Sequence, residues 1–161
     1  MYKIGDLVVY KRDVCKVIDY LENYYNNTDY YRLIPVNDNS LKVDIPVNNK
    51  YIRNILSKSE VNNIINNIPN IKTIEVTDKL IDTEYKKLIH NDDFDSLISI
   101  IKTTYLRNKD RLDNKKKLSD KDLDYFNMAE KYLYTEFSIV LGMSYDETKK
   151  YVIDKVEKLS K

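Results

Sequence analysis

Near Ser57 the spacing of apolar residues changes, and no other feature of this 161-residue chain restricts its fold as much. Before that point apolar and polar residues alternate in short runs: Leu7 to Tyr10, Val14 to Leu21, Tyr30 to Pro35 and Leu41 to Ile45. Alternation sends successive side chains to opposite faces of an extended chain, so each run reads as a half-buried strand. Gly5-Asp6 supplies a tight turn ahead of the first strand. Turn-forming segments, Asn23 to Asp29 and Asn37-Asp38-Asn39-Ser40, separate the later ones.

After Ser57 the period becomes helical. Ser57-Lys-Ser-Glu60 has the spacing of a capping box, and Val61, Ile64, Ile65 and Ile68 follow on one stripe until Pro69 ends it. Thr77 or Asp78 is placed to cap a second helix carrying Leu80, Ile81, Tyr85, Leu88 and Ile89. Asp92 or Asp93 is placed to cap a third, with Phe94, Leu97, Ile98, Ile101 and Tyr105. Ser119-Asp-Lys-Asp122 opens a long helix with Leu123, Phe126, Met128, Tyr132, Leu133, Phe137, Val140 and Leu141, and Gly142 is suited to close it. Ser144-Tyr-Asp-Glu147 is a second capping box, before Tyr151, Val152, Val156 and Leu159. The expected fold class is therefore α+β. A small N-terminal β-barrel of the Tudor or SH3 kind occupies 1–57, and an all-helical domain of about five helices occupies 58–161.

Composition removes several function classes. With 42% hydrophobic and 33% charged residues the chain can bury a core. No apolar run has the length of a membrane span, and Met1 is followed by strand-like sequence rather than a basic and then apolar leader, so the expectation is a cytoplasmic protein. One cysteine, Cys15, makes no internal disulfide, and with the single histidine, His90, it falls short of an ordinary zinc ligand set; no metal or cofactor is expected. Abundant Asn, Ile, Lys and Tyr beside a single alanine, Ala129, fit an AT-rich coding sequence, so the asparagine pairs 62–63 and 66–67 carry no low-complexity meaning.

Catalytic chemistry finds little footing. Cys15 has no neighbouring base in sequence and reads as a small buried strand residue. His90 reads as a partner for a helix C-terminus, and Asp92-Asp93 as helix caps rather than an acid/base pair. Tyr24-Tyr25 and Tyr30-Tyr31 are either a stacking platform for single-stranded nucleic acid or, the duller reading, half-buried strand aromatics.

Lys3-Ile-Gly-Asp-Leu-Val-Val-Tyr10, the second strand, and Leu41-Lys-Val-Asp-Ile-Pro46 together resemble the RNA-polymerase-interacting domain of the CarD/CdnL family of bacterial transcription regulators. The helical half is similar to that family too, in Asn91-Asp-Asp-Phe94 before Leu97 to Lys102, in Leu118 to Asp122 and in Met128 to Glu136. The resemblance implies a non-enzymatic regulator. Its barrel docks on the β subunit of bacterial RNA polymerase, and its helical domain contacts upstream promoter DNA without sequence specificity, stabilising the open complex.

For docking, Lys42, Val43, Asp44 and Ile45 form the candidate edge, since an exposed strand edge adds to a partner's sheet. For DNA, the candidates are Lys102, Arg107, Lys109 and Arg111, within a stretch that continues to Lys115-Lys-Lys117, together with Lys79 and Lys86. The alternative is a solvated charged face on a near-neutral protein of net charge +1, and with it an interaction adaptor that binds polymerase or another partner without touching DNA. The chain departs from the family in three places. It has no tryptophan to wedge into the minor groove, Asp78 or a neighbour aligning there, with Tyr85 or Tyr105 as substitutes. Asp44 stands where members often carry a basic residue, and Lys11-Arg-Asp13 replaces the family's basic-Pro-His-His/Gly turn.

Overall fold

A computed structural model describes residues 1–91 and 93–160. The described residues form a mixed α+β structure of five strands followed by five α-helices, and the chain divides into two compact units after Ile55.

The strands are β1 (Leu7–Tyr10), β2 (Asp13–Tyr25), β3 (Thr28–Pro35), β4 (Val43–Pro46) and β5 (Ile52–Asn54). They form one antiparallel sheet in the order β4-β3-β2-β1-β5. The sheet is not closed; β4 and β5 are its two ends. Val8, Cys15, Val17, Tyr31, Leu33 and Ile45 make its core. In β2 the pairing slips between Val17, opposite Leu33, and Asp19, opposite Arg32. A slip of one residue moves later side chains to the other face, which is why Tyr20 rather than Asp19 joins the core. The Tyr20 and Tyr31 rings then meet edge to face at 5.7 Å. Tyr20 also donates its hydroxyl proton to Asp29 Oδ2 (2.6 Å), and that bond pushes the phenol up to about 12.

Two strand boundaries differ from the expectation. β2 runs on to Tyr25 because Asn26 and Asn27, at φ 49° and 56°, make a two-residue hairpin turn that lets the strands extend through the supposed loop. β5 has only three residues and no alternation to announce it; pairing with β1 creates it.

The helices are α1 (Lys58–Asn67), α2 (Ile81–Ile89), α3 (Phe94–Asp113), α4 (Asp120–Leu141) and α5 (Tyr145–Leu159), with a 3-10 turn at Ile68–Asn70. Both capping boxes form: the Glu60 and Glu147 amides donate to Ser57 Oγ and Ser144 Oγ (both 3.1 Å), and the glutamates accept from the serine amides in return. Asp93 caps α3 through the Ser96 amide (2.7 Å); Asp92, the other candidate, lies outside the described residues. Gly142 closes α4 at φ 67°, a left-handed conformation that a Cβ would strain. The helical core gathers Val61, Ile65, Ile81, Tyr85, Leu97, Ile100, Leu133, Phe137 and Val152.

α2 begins later than expected. Its first residue is Ile81, Leu80 stands at the N-cap position without a side-chain cap, and neither Thr77 nor Asp78 fills that role. Leu80, assigned to the buried stripe by its spacing, is 56% exposed, and Tyr105 on α3 is 57% exposed. Leu80 precedes the helix whose first residue, Ile81, is buried, so the helical spacing does not apply to it.

Candidate polymerase-docking and nucleic-acid surfaces

At the β4 edge the sheet builds its own constraint. β4 pairs with β3 on one side only, with Leu33 opposite Val43, Arg32 opposite Asp44 and Tyr31 opposite Ile45. Ile45 is buried in the sheet core and Val43 packs against it, so of the candidate residues only Lys42 and Asp44 turn outward. Asp44 has a partner already. Arg32 Nε donates to Asp44 Oδ1 (2.8 Å) and Arg32 Nη2 to Oδ2 (3.0 Å), a bidentate pair across neighbouring strands that holds the Asp44 carboxyl below the usual carboxylate range. Pro46 ends the strand, leaving an edge that is short and stiff.

In the helical unit one face of α3 ties down the irregular segment between α1 and α2. Ser99 Oγ donates to Lys72 O (2.9 Å), and the Ile74 amide donates to Thr103 Oγ1 (2.9 Å). Lys102 Nζ donates to Ile68 O and to Ile71 O (2.7 Å), and Arg107 Nη1 donates to Asp78 Oδ1 (2.8 Å). These α3 residues follow the three- and four-residue spacing of a single helix face. Burial lowers the Lys102 ammonium below its ordinary pKa, and its protons satisfy carbonyls that the end of a helix leaves open.

The same face ends on a buried carboxylate. Asp122, 1% exposed, accepts from Tyr85 OH at Oδ1 (3.0 Å) and from Arg107 Nε (3.0 Å) and Arg111 Nη1 (2.7 Å) at Oδ2. Its own amide donates to Ser119 Oγ (3.2 Å), and the Ser119 amide donates to Asn108 Oδ1 (3.0 Å), which also accepts from Arg111 Nη1 (3.1 Å). Each group thus completes another's hydrogen bonding, and two arginines are neutralised in part by one carboxylate. Burial and the Asp122 charge push the Tyr85 phenol well above its ordinary value.

The six candidate DNA contacts therefore fall into two groups. Lys102, Arg107 and Arg111 are engaged internally, although both arginines also line a polar cleft of about 360 Å³ with Lys79, Asp82 and Lys121. Lys79, Lys86 and Lys109 are exposed. Lys86 sits 3.3 Å from Asp82 on its own helix, and Lys121 reaches the same carboxylate at 3.5 Å. Lys109 does not join the cleft. It lies two positions along α3 from Arg107, on the other side of the helix, with Tyr105, Leu112 and Phe126. Lys109 therefore does not share the α3 face of Arg107 and Arg111.

Of the two tyrosines considered as wedges, Tyr85 is fully buried and holds Asp122, whereas Tyr105 is available. Leu80 is the residue the sequence pattern missed. It projects beside Lys79, at the end of the segment that α3 fastens, and its helical spacing with Ile81 and Tyr85 hid its exposure. In the sequence Asp122 is visible only as the last residue of the capping sequence Ser119-Asp-Lys-Asp122; its role depends on Tyr85, Arg107 and Arg111, all distant in the chain. Tyr31 is 2% exposed and the Tyr24 and Tyr30 rings pack together at 5.4 Å, which takes one member of the four-tyrosine platform out of solvent reach and two more into mutual contact. Cys15 is buried, and burial together with Asp13 pushes its thiol up to about 11, away from nucleophilic use. His90 is the exposed C-cap of α2. No protein-family model matches the chain, and no curated protein matches it.

Proposed function

We propose that this protein is a non-enzymatic transcription regulator of the CarD/CdnL kind, whose Tudor-like strand unit docks on the β subunit of bacterial RNA polymerase while its helical unit contacts upstream promoter DNA. The observation that carries the reading is the β4 edge. Its four residues pair on one side only, and the outward Asp44 is fixed by Arg32, so a partner strand meets a pre-organised template rather than a mobile loop.

The DNA contact is assigned to Lys79 and Leu80 with Lys86, not to the Lys102 to Arg111 stretch. Lys79 offers a free cation to a phosphate, and Leu80 beside it is an apolar side chain able to wedge a base step, close to the position where the resembling family carries tryptophan. Asp78, which would repel the phosphates, is drawn toward Arg107.

Retention of the full chain on immobilised polymerase β subunit at low salt tests the docking. The amide that β4 turns away from β3 belongs to Asp44, since the Val47 amide donates to Asp29 O and hydrogen-bonded pairs alternate along the strands. Asp44→Pro is expected to weaken retention at least about tenfold relative to Asp44→Asn, which keeps that donor. No retention of the unaltered chain rejects the docking. For DNA, Lys79→Gln with Leu80→Ala is expected to shorten promoter-complex lifetime and flatten its salt dependence. A second reading, the adaptor without DNA contact, is favoured by the internal engagement of Lys102, Arg107 and Arg111. Unchanged lifetimes in that double variant select it.

A further inference from the structure

The hairpin from β1 to β2 turns through two residues, Lys11 and Arg12, which hold φ values of 55° and 115°. Two-residue hairpin turns call for positive φ, and Gly, Asn or Asp normally supply it because other side chains crowd the backbone there. The β2–β3 hairpin of the same sheet obeys that preference with Asn26-Asn27. The first hairpin places two long cations at such positions instead. Backbone of this kind persists only where the surroundings impose it, and it collects at functional sites.

The surroundings are β1 and the residues just before β5. The Lys11 amide donates to Tyr51 O (3.3 Å), and Tyr10 pairs with Ile52. This places Lys11 Nζ 5.3 Å from the centre of the Tyr10 ring and 5.8 Å from that of Tyr51, while Lys50 Nζ lies 5.2 Å from the Tyr51 ring. Two ammonium groups share one ring. Each is attracted to its electron-rich face, but they repel one another, and among the described residues neither Lys11 nor Lys50 forms an ion pair. Tyr51 remains 46% exposed. The tip thus offers two uncompensated positive charges and an open aromatic surface on a stiff turn.

We infer that this hairpin tip, formed by Lys11, Lys50 and Tyr51, is a contact site for single-stranded nucleic acid, with backbone phosphate at the two ammonium groups and a base stacked on Tyr51. The two unpaired ammonium groups favour an anion. A base is favoured over an acidic peptide because carboxylates would satisfy the lysines and leave the exposed ring without a role, whereas base-on-aromatic stacking with flanking cations is the recurrent way to hold an unpaired strand. The site lies within the strand unit and does not rest on the β4 edge or on the helical cations.

Fluorescence anisotropy of a labelled short oligothymidylate with the full chain, titrated with salt, tests it. Lys11→Asn suits the turn because Asn tolerates positive φ, and with Lys50→Gln it is expected to flatten the dependence of log affinity on log salt by about 0.7 per lysine removed. Tyr51→Ala is expected to weaken binding at least about fivefold, while Tyr51→Phe keeps it, since the ring and not the hydroxyl stacks. Circular dichroism of each variant verifies the fold. Absence of binding at low salt, an unchanged slope in the double lysine variant, or equal affinity for Tyr51→Ala and the unaltered chain would each overturn the assignment. Poly-glutamate binding as tightly as the oligothymidylate and indifferent to Tyr51→Ala would overturn it in favour of an acidic partner. Variants at Lys79 and Leu80 leave the oligothymidylate affinity unchanged even if the promoter contact proposed above fails.

Discussion

The cations of α3 and those gathered at the β1–β2 turn, Lys11 from the turn itself and Lys50 from just before β5, have different occupations. Lys102, Arg107 and Arg111 spend their donors on the helical unit itself, closing the carbonyls of Ile68 and Ile71 and neutralising Asp78 and Asp122. Among the described residues the Lys11 and Lys50 ammonium groups lie over aromatic rings and form no ion pair. A charge run on a helix is therefore a poor guide to where a polyanion is held. What decides the matter is whether a buried acceptor lies within reach, because leaving that acceptor unpaired costs more than exposing the cation gains.

The largest effect that distinguishes the two sets belongs to Asp122. Asp122→Ala leaves the Tyr85 hydroxyl and two guanidinium groups facing a hole, and breaking a buried charge pair by removing one partner costs about 3–5 kcal/mol. Thermal unfolding followed by circular dichroism should show a midpoint lower by roughly 10 °C or more. A drop of only a degree or two would mean that the arginines find solvent easily, and that they are as free for DNA as their sequence positions suggest.

Lys102 comes next. Lys102→Met keeps the aliphatic stem but removes the donors to Ile68 O and Ile71 O, an expected loss of about 1–2 kcal/mol. The change should also speed hydrogen exchange of the Ile74 amide, which depends on Thr103 on the same face of α3. Unaltered stability and exchange would release Lys102 to the set of available cations.

What the sequence discloses about this arrangement follows from the range of each interaction. The Ser57 and Ser144 boxes, Asp93 and Gly142 are legible because cap and partner lie within one helical turn. The start of α2 is not. Asp78 has the chemistry of a cap, yet its carboxylate goes to Arg107, and nothing near it in sequence announces that competitor. The slip at Ile18, the three residues of β5 and the extension of β2 to Tyr25 likewise come from pairing with other strands, where one residue of register decides which face is buried. The candidate surfaces were half legible: residue types and the edge strand could be read, but which cations are already paired could not.

The Arg32–Asp44 pair tests the strand unit on its own terms. Asp44 has its carboxyl lowered in the folded chain, chiefly by the Arg32 hydrogen bonds, so its contribution is complete above the ordinary carboxylate range and disappears as pH falls through the lowered value. Asp29, Asp78 and Asp82 shift in the same direction, so the informative quantity is a difference. Between about pH 5 and pH 3 the stability of the unaltered chain should fall more steeply than that of Asp44→Asn, by at most about 1 kcal/mol for a partly exposed pair. Parallel curves would show that the edge is not stiffened by charge.

The smallest stability effect is expected at the hairpin tip, and it bears most directly on the comparison. Lys50→Gln removes no hydrogen bond to a buried group and should leave the midpoint unchanged within about 0.5 kcal/mol. Lys11→Asn should match or exceed the stability of the unaltered chain, because Asn adopts the φ of 55° at less cost than Lys. If both changes are tolerated while Lys102→Met is not, one set of cations supports the fold and the other is kept at an energetic disadvantage for something outside it. A loss at Lys11 as large as that at Lys102 would make the ring contacts structural, and the contrast between the two sets would disappear.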